Sequence, residues 1–163
     1  MNTLVIYYTF TDNCKIIANN FNNSIETDIV EIKEILKKNK LTAYTIGILK
    51  AISKRGCSIY PIELNIENYN NICLVTPVWA DSLPPAVYSF IREYDMSNKN
   101  VNAILCYAKS GEKASKLLQD EFKKFNIKLQ SIALVKSDPY TMSALSSGKA
   151  HIYIENDKKL HLN

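Results

Sequence analysis

The sequence predicts a doubly wound α/β fold with a five-stranded parallel sheet. Four short apolar runs, Leu4–Tyr8, Ile72–Val78, Val101–Tyr107 and Ile132–Val135, are near-continuous rather than alternating. That is the pattern of strands buried on both faces. Helical apolar stripes lie between these runs, and strand–helix alternation at this spacing implies right-handed crossovers. The length of 163 residues, 47% apolar and 22% charged, suits one globular domain over 1–163 and argues against a disordered chain.

The elements follow in order. Leu4–Tyr8 opens the sheet, and Ile16, Ile17 and Phe21 mark the first helix. A weaker strand fits Glu26–Ile32, centred on Ile29 and Val30. Ile48, Leu49 and Ile52 form the stripe of a second helix. The Asn-rich stretch Asn65–Asn71 reads as a turn before the strand Ile72–Val78. Ser82-Leu83-Pro84-Pro85 starts a third helix, whose stripe is Val87, Phe90, Ile91 and Tyr94. Val101–Tyr107 is followed by the cleanest stripe, Ala114, Leu117, Leu118, Phe122 and Phe125. Ile132–Val135 closes the sheet. Beyond it, in Ser143–Leu162, Ile152 and Ile154 alternate with polar residues, and Asp157, Lys158 and Lys159 follow. A short or irregular C-terminal tail is expected there. If Met142–Asn163 forms no packed final helix, one sheet face stays open and a homodimer partner could close it.

Composition narrows the function. The net charge is +4, from 20 basic and 16 acidic residues, and only Arg55 and Arg92 are arginines. Groove-reading nucleic-acid proteins lean on clustered Arg, so no nucleic-acid partner is expected. Lys33 to Arg55 concentrates the basic excess (Lys33, Lys37, Lys38, Lys40, Lys50, Lys54 and Arg55, against Glu34 alone). It is a solvated helix face with its flanking loop, or a docking surface for an acidic partner. Cys14, Cys57, Cys73 and Cys106 form no CxxC pair, and no His stands at metal-ligand spacing, so no metal site is expected. With no signal-peptide pattern and no apolar span, the chain reads as cytoplasmic and without a membrane partner. Four glycines, Gly47, Gly56, Gly111 and Gly148, exclude a Walker loop and a GxGxxG fingerprint.

In a doubly wound sheet, ligands sit beyond the carboxyl ends of the strands, where the strand order switches direction. Three turns matter there. Thr9-Phe10-Thr11-Asp12-Asn13-Cys14 is hydroxyl-rich and opens a helix, which suits either an anion site or ordinary helix capping. Pro77-Val78-Trp79-Ala80-Asp81 holds the only Trp, which either covers a flat heterocycle or folds back onto the core. Ala108-Lys109-Ser110-Gly111-Glu112 carries Gly111 where chain reversal needs it.

Together these turns resemble the flavodoxin-like family. Thr9–Ala18 (TFTDNCKIIA) is similar to the flavodoxin phosphate loop, Ser/Thr-x-Thr-Gly-Asn-Thr-x-x-x-Ala. Residues 76–90 (TPVWADSLPPAVYSF) resemble its Trp-bearing second flavin loop, and YAKSG at 107–111 stands at its third. The likeness runs from about Thr3 to Val135. It implies strand order 2-1-3-4-5, with FMN at the switch between the first and third strands. It also implies that Thr9, Thr11, Asn13 and Cys14 surround the flavin phosphate, with backbone amides of Phe10 and Asp12. Trp79 would stack on the ring in a pocket shaped by Pro77, Val78 and Ala80. Ala108, Ser110 and Gly111 would flank its other side.

The departures are chemical. Asp12 replaces the family glycine, Cys14 the last Thr, and Asp81 a common glycine of the second loop. Asp tolerates left-handed geometry better than most residues, so the first turn is expected to survive. The two carboxylates push negative charge towards an anionic cofactor, so binding weaker than the family norm is expected. Lys15 would offset part of it. Cys14, in the first turn of a helix, should have a lowered pKa. Thiol catalysis as in small phosphatases is nevertheless disfavoured, because Asn20 stands where Cys-x5-Arg needs Arg. Tyr7, Tyr8 and Thr9 replace the acidic pocket of doubly wound signalling domains.

The resemblance implies a protein that binds FMN non-covalently and transfers electrons, with no catalytic side chain. Its +4 charge differs from the strongly acidic carriers. It suits an NAD(P)H- or quinone-linked flavin oxidoreductase, or a carrier with an acidic redox partner protein. The alternative is a flavodoxin-fold binding or regulatory module that has lost or weakened FMN binding.

Overall fold

A computed structural model describes residues 3–20, 27–35, 40–150, 152–154 and 160–162. Five parallel strands form the sheet: β1 (Thr3–Tyr7), β2 (Thr27–Glu31), β3 (Asn71–Pro77), β4 (Asn100–Tyr107) and β5 (Lys128–Lys136). Their order is β2-β1-β3-β4-β5. The chain therefore reverses its direction of travel across the sheet between β1 and β3. In register, Val5 stands opposite both Ile29 and Cys73.

Every residue of β1 is buried, and so are the centres of β3 and β4. Such strands need cover on both faces, and the helices supply it. On one face Leu4, Ile6 and Leu74 pack with Ala51, Leu83, Val87, Phe90, Ala114 and Phe122. These belong to α2 (Lys40–Ile52), α3 (Pro85–Glu93), α4 (Glu112–Lys124) and the approach to α3. On the other face Val5, Tyr7, Cys73 and Ile104 pack with Cys14, Ile17, Met142 and Leu145. These come from α1 (Asn13–Asn20) and α5 (Pro139–Ser146).

The tail departs from expectation. Pro139–Ser146 is helical, and β6 (Ile152–Ile154) pairs antiparallel with β7 (Leu160–Leu162). Asp138 caps the helix: its carboxylate accepts from the Thr141 amide at 2.9 Å and the Thr141 hydroxyl at 3.0 Å. Met142 and Leu145 are buried against α1, and Asn20 donates to the carbonyls of Leu145 and Ala150. The face expected to lie open is covered from within the chain. The helix escaped periodicity because eight residues with two inward apolar side chains give almost no stripe.

Other boundaries differ for visible reasons. β5 is longer than Ile132–Val135 because polar residues pair across the sheet. Ser131 donates to the Asn102 side chain at 2.6 Å, and Gln130 to that of Asn100 at 3.1 Å. Phe125 lies just past α4 and is exposed. The Asn65–Asn71 turn contains a short 3-10 turn, Ile66–Asn68, capped by the Asn65 side chain. Phe21 and Glu26 fall outside the described residues.

Three helices end the same way. After α2 the Arg55 amide bonds to Lys50 O and the Lys54 amide to Ala51 O. The same pair of bonds follows α4 at Ile127 and Asn126, and α5 at Lys149 and Gly148. This is the Schellman arrangement, whose penultimate residue is left-handed. Here φ is 54° at Lys54, 54° at Asn126 and 70° at Gly148. Only the last is the glycine such a position favours.

A buried charge fixes α3 to α4. Glu121 is 2% exposed. It accepts from Arg92 at 2.8 and 2.6 Å and from Lys124 at 2.9 Å. Burial pushes its carboxyl up, but the hydrogen bonds from Lys124 and Arg92 outweigh this and hold it below its ordinary value. A depressed folded pKa contributes stability above the unfolded value of about 4.3, lost as pH falls through the folded pKa. Glu121→Gln should therefore lower stability by about 1–3 kcal/mol at neutral pH. In urea titrations at stepped pH, it should lose less stability than the parent on acidification. Parallel losses would show that Glu121 is not the titrating group. Lys54→Gly should raise the urea midpoint, worth about 0.5–1 kcal/mol, by relieving the left-handed side chain.

Candidate functional site

The first loop leaves the carboxyl end of β1, where Tyr8 still donates its amide to Val75 O at 3.0 Å. Thr9 is half-buried; Phe10, Thr11 and Asp12 are exposed. Asp12 adopts φ 62°, and its carbonyl accepts the first helical bond of α1, from Ile16 at 3.0 Å. The left-handed turn therefore survives the replacement of glycine. The amides of Asn13, Cys14 and Lys15 open the helix outside its own hydrogen-bond ladder, as an anion site requires.

Cys14 behaves differently from its sequence position. Its side chain is 1% exposed and packs in the core beneath α1, so only its backbone belongs to the loop. Burial pushes its thiol well above the usual value, the reverse of the lowering expected at a helix start. Burial keeps the proton on the thiol, which disfavours a nucleophilic thiolate.

The second loop is a tight turn. Trp79 and Ser82 exchange both backbone hydrogen bonds, each 2.9 Å. Between them Ala80 has φ 48° and Asp81 φ 59°, the signature of a type I′ turn. Val78 ties it to β4 by donating to Cys106 O at 2.9 Å. The Ser82 hydroxyl donates to Ala51 O at 2.8 Å and accepts from the Tyr88 hydroxyl at 3.0 Å. With one hydrogen committed to Ala51, the Ser82 oxygen must be the acceptor in the second bond.

Trp79 is turned inward, at 8% exposure. Its ring meets Tyr8 edge-on at 5.7 Å and Phe10 at 5.8 Å, so the first two loops share one aromatic cluster. Below it lies Gly47 of α2, where an added Cβ would come 2.8 Å from Trp79 Cζ3. This contact corrects the α2 stripe. Gly47 and Ala51 face inward, while Leu49 is 68% and Ile52 59% exposed. The indole fills the space that larger side chains would occupy. Tyr8 and Gly47 are site residues that motif reading missed; only the position of Tyr8, just before the hydroxyl-rich turn, hinted at it.

In the third loop Ala108, Lys109 and Ser110 are exposed and Gly111 is buried. Gly111 has φ −125°, so chain reversal does not explain it. An added Cβ would lie 2.9 Å from Leu134 Cδ2, and close packing against β5 is the reason for glycine. Lys113 at the start of α4 stands 4.0 Å from Asp81, an exposed pair that links the second and third loops only weakly. Pro77 is half-buried at the end of β3.

A cavity of about 930 Å³ lies on the β2 side, lined by Tyr7, Asp28, Glu31, Lys33, Tyr60 and Glu63 among others. Burial and then Glu31 push the Tyr7 phenol up to about 12. Three carboxylates against one Lys make the cavity a poor host for a phosphate. Among the described residues no group of three or more His, Cys, Asp or Glu could hold a metal, and no helix is long and apolar enough to cross a membrane.

Gly47→Ala should displace the indole. As Trp79 is the only Trp, its emission should shift to the red and stability fall by about 1–3 kcal/mol. An unchanged spectrum would refute the contact.

No family model matches the sequence, and no curated protein matches it. Solved structures do match. A flavoprotein in complex with FMN from Lactobacillus acidophilus NCFM superposes with TM-score 0.70 at 18% identity, covering 82% of this chain and 92% of that one. A putative flavoprotein from Bacteroides uniformis ATCC 8492 gives 0.72 at 19%, covering 91% and 97%. The two-electron reduced flavodoxin of Megasphaera elsdenii gives 0.56 at 12%, covering 89% and 96%. With five parallel strands in the order 2-1-3-4-5 beneath these three loops, the chain has the flavodoxin-like fold.

Proposed function

We propose that the chain binds FMN non-covalently at the carboxyl edge of β1 and β3 and passes electrons through it. One observation carries this. At the sheet's switch point the left-handed Asp12 start of α1 stands beside the aromatic cluster of Tyr8, Phe10 and Trp79. An anion site beside the exposed Phe10 ring, backed edge-on by the buried Trp79, suits a phosphate joined to a heterocycle. The FMN-bound flavoprotein of the same fold supports the choice of cofactor.

The residues fit the group. Amides at the start of α1, with the Thr9 and Thr11 hydroxyls, would hold the phosphate. Exposed Phe10 would wall the ring, backed by the inward-turned Trp79, with Pro77, Val78 and Ala80 shaping that side and exposed Ala108 and Ser110 at the other. When bound, FMN supplies one- and two-electron transfer. The protein's part is to orient the flavin, exclude water and set the local charge. Asp81 opposes the negative charge that reduction adds, and so lowers the potential. The +4 net charge favours a reductase linked to NAD(P)H or a quinone over an acidic carrier.

Added FMN should lose its fluorescence stoichiometrically at micromolar concentration. Absent quenching by folded protein would instead indicate a flavodoxin-fold binding or regulatory module. Asp12→Gly should tighten FMN binding about 2–5-fold by removing a like charge worth roughly 0.5–1 kcal/mol. An unchanged affinity would show that the carboxylate does not oppose the phosphate. In reductive titration Asp81→Gly should raise the potential, and an unmoved value would sink that role.

A further inference from the structure

α2 presents an apolar face outward. Leu49 is 68% and Ile52 59% exposed, three positions apart and hence neighbours on the helix surface. The fold does not use them, because Gly47 and Ala51 take the inward positions against Trp79 and Ser82. Lys50, Lys54 and Arg55 stand close to this pair along the chain; Lys54 and Arg55 are exposed, and Lys50 is half-buried. From Lys40 to Arg55 the sequence has four basic residues and no acidic one. Near the helix end the Cys57 thiol donates to Glu34 at 3.3 Å, and Arg92 donates to both the Lys54 carbonyl and the buried Glu121.

We propose that this face of α2 docks an acidic redox protein. The proposal rests on the electron-transfer function above and names the partner's chemistry. An apolar centre with a charged rim is the form of a protein interface. The sign of the rim selects an acidic partner and steers it. A second copy of this chain would set Lys54 and Arg55 against like charges. A nucleic acid would leave Leu49 and Ile52 against phosphates. The position also suits electron transfer. Trp79 lies under the same helix, about one helix diameter (~10 Å) below its outer face. The Ser82–Ala51 hydrogen bond braces the helix to the flavin turn.

The test is amide shift mapping of the FMN-supplemented protein with an acidic plant-type [2Fe–2S] ferredoxin as probe, at low salt and again at about 0.2 M, where screening is stronger. Shifts should centre on Leu49–Arg55 and weaken with salt. The paired variants Leu49→Ser/Ile52→Ser and Lys54→Glu/Arg55→Glu should each weaken binding at least tenfold. Lys116→Glu, on exposed α4, should change it less than twofold. Unaltered melting temperatures and flavin quenching in the variants show that fold and cofactor site are intact. Shifts centred elsewhere, an equal loss in Lys116→Glu, or no binding at low salt would overturn the proposal. Because shifts are read whether or not flavin binds, failure of the docking face and failure of the FMN site are distinguishable.

Discussion

The indole of Trp79 lies where three elements meet, and its packing governs how they fit. It fills the space between Tyr8, Phe10 and α2 so fully that Gly47 has no room for a Cβ. The consequences spread outward. α2 must turn small residues inward. The second loop is pinned by the Trp79–Ser82 bonds and the Ser82–Ala51 bond, and the first loop closes over the ring through Phe10. Removing the indole's bulk would leave a void among side chains that otherwise pack at interior density.

The sheet was legible because its central strands are near-continuously apolar. Leu4, Val5 and Ile6 read as a doubly buried strand, and no other element could hide them. Strand order was not in that pattern; it came from the resemblance of the loops. Partial burial blurred the rest. β5 hides its outer length behind Asn–Ser and Asn–Gln pairs that look like loop residues in one dimension. α5 holds its place with two apolar side chains and a cap.

α2 shows a subtler limit. Its apolar positions have helical spacing, but spacing does not say which face is inward. That was decided by an aromatic residue some thirty positions later, a tertiary constraint with no local sign. Gly111 and Cys14 teach the same lesson. Both stand at motif positions, yet one is held by contact with Leu134 and the other by the core under α1. A motif locates the backbone of a site better than it assigns its side chains.

Five residues other than glycine adopt positive φ among those described: Asp12, Lys54, Ala80, Asp81 and Asn126. Three of them, Asp12, Ala80 and Asp81, belong to the loops of the candidate site, and two of these, Asp12 and Asp81, carry carboxylates. Each holds a turn that glycine could hold equally well, so the backbone path does not depend on the carboxylate. Shape and electrostatics are independent variables in these loops. Substitution at either position alters the local field while the path stays fixed, and the fold can thus be retuned in potential or affinity without being rebuilt.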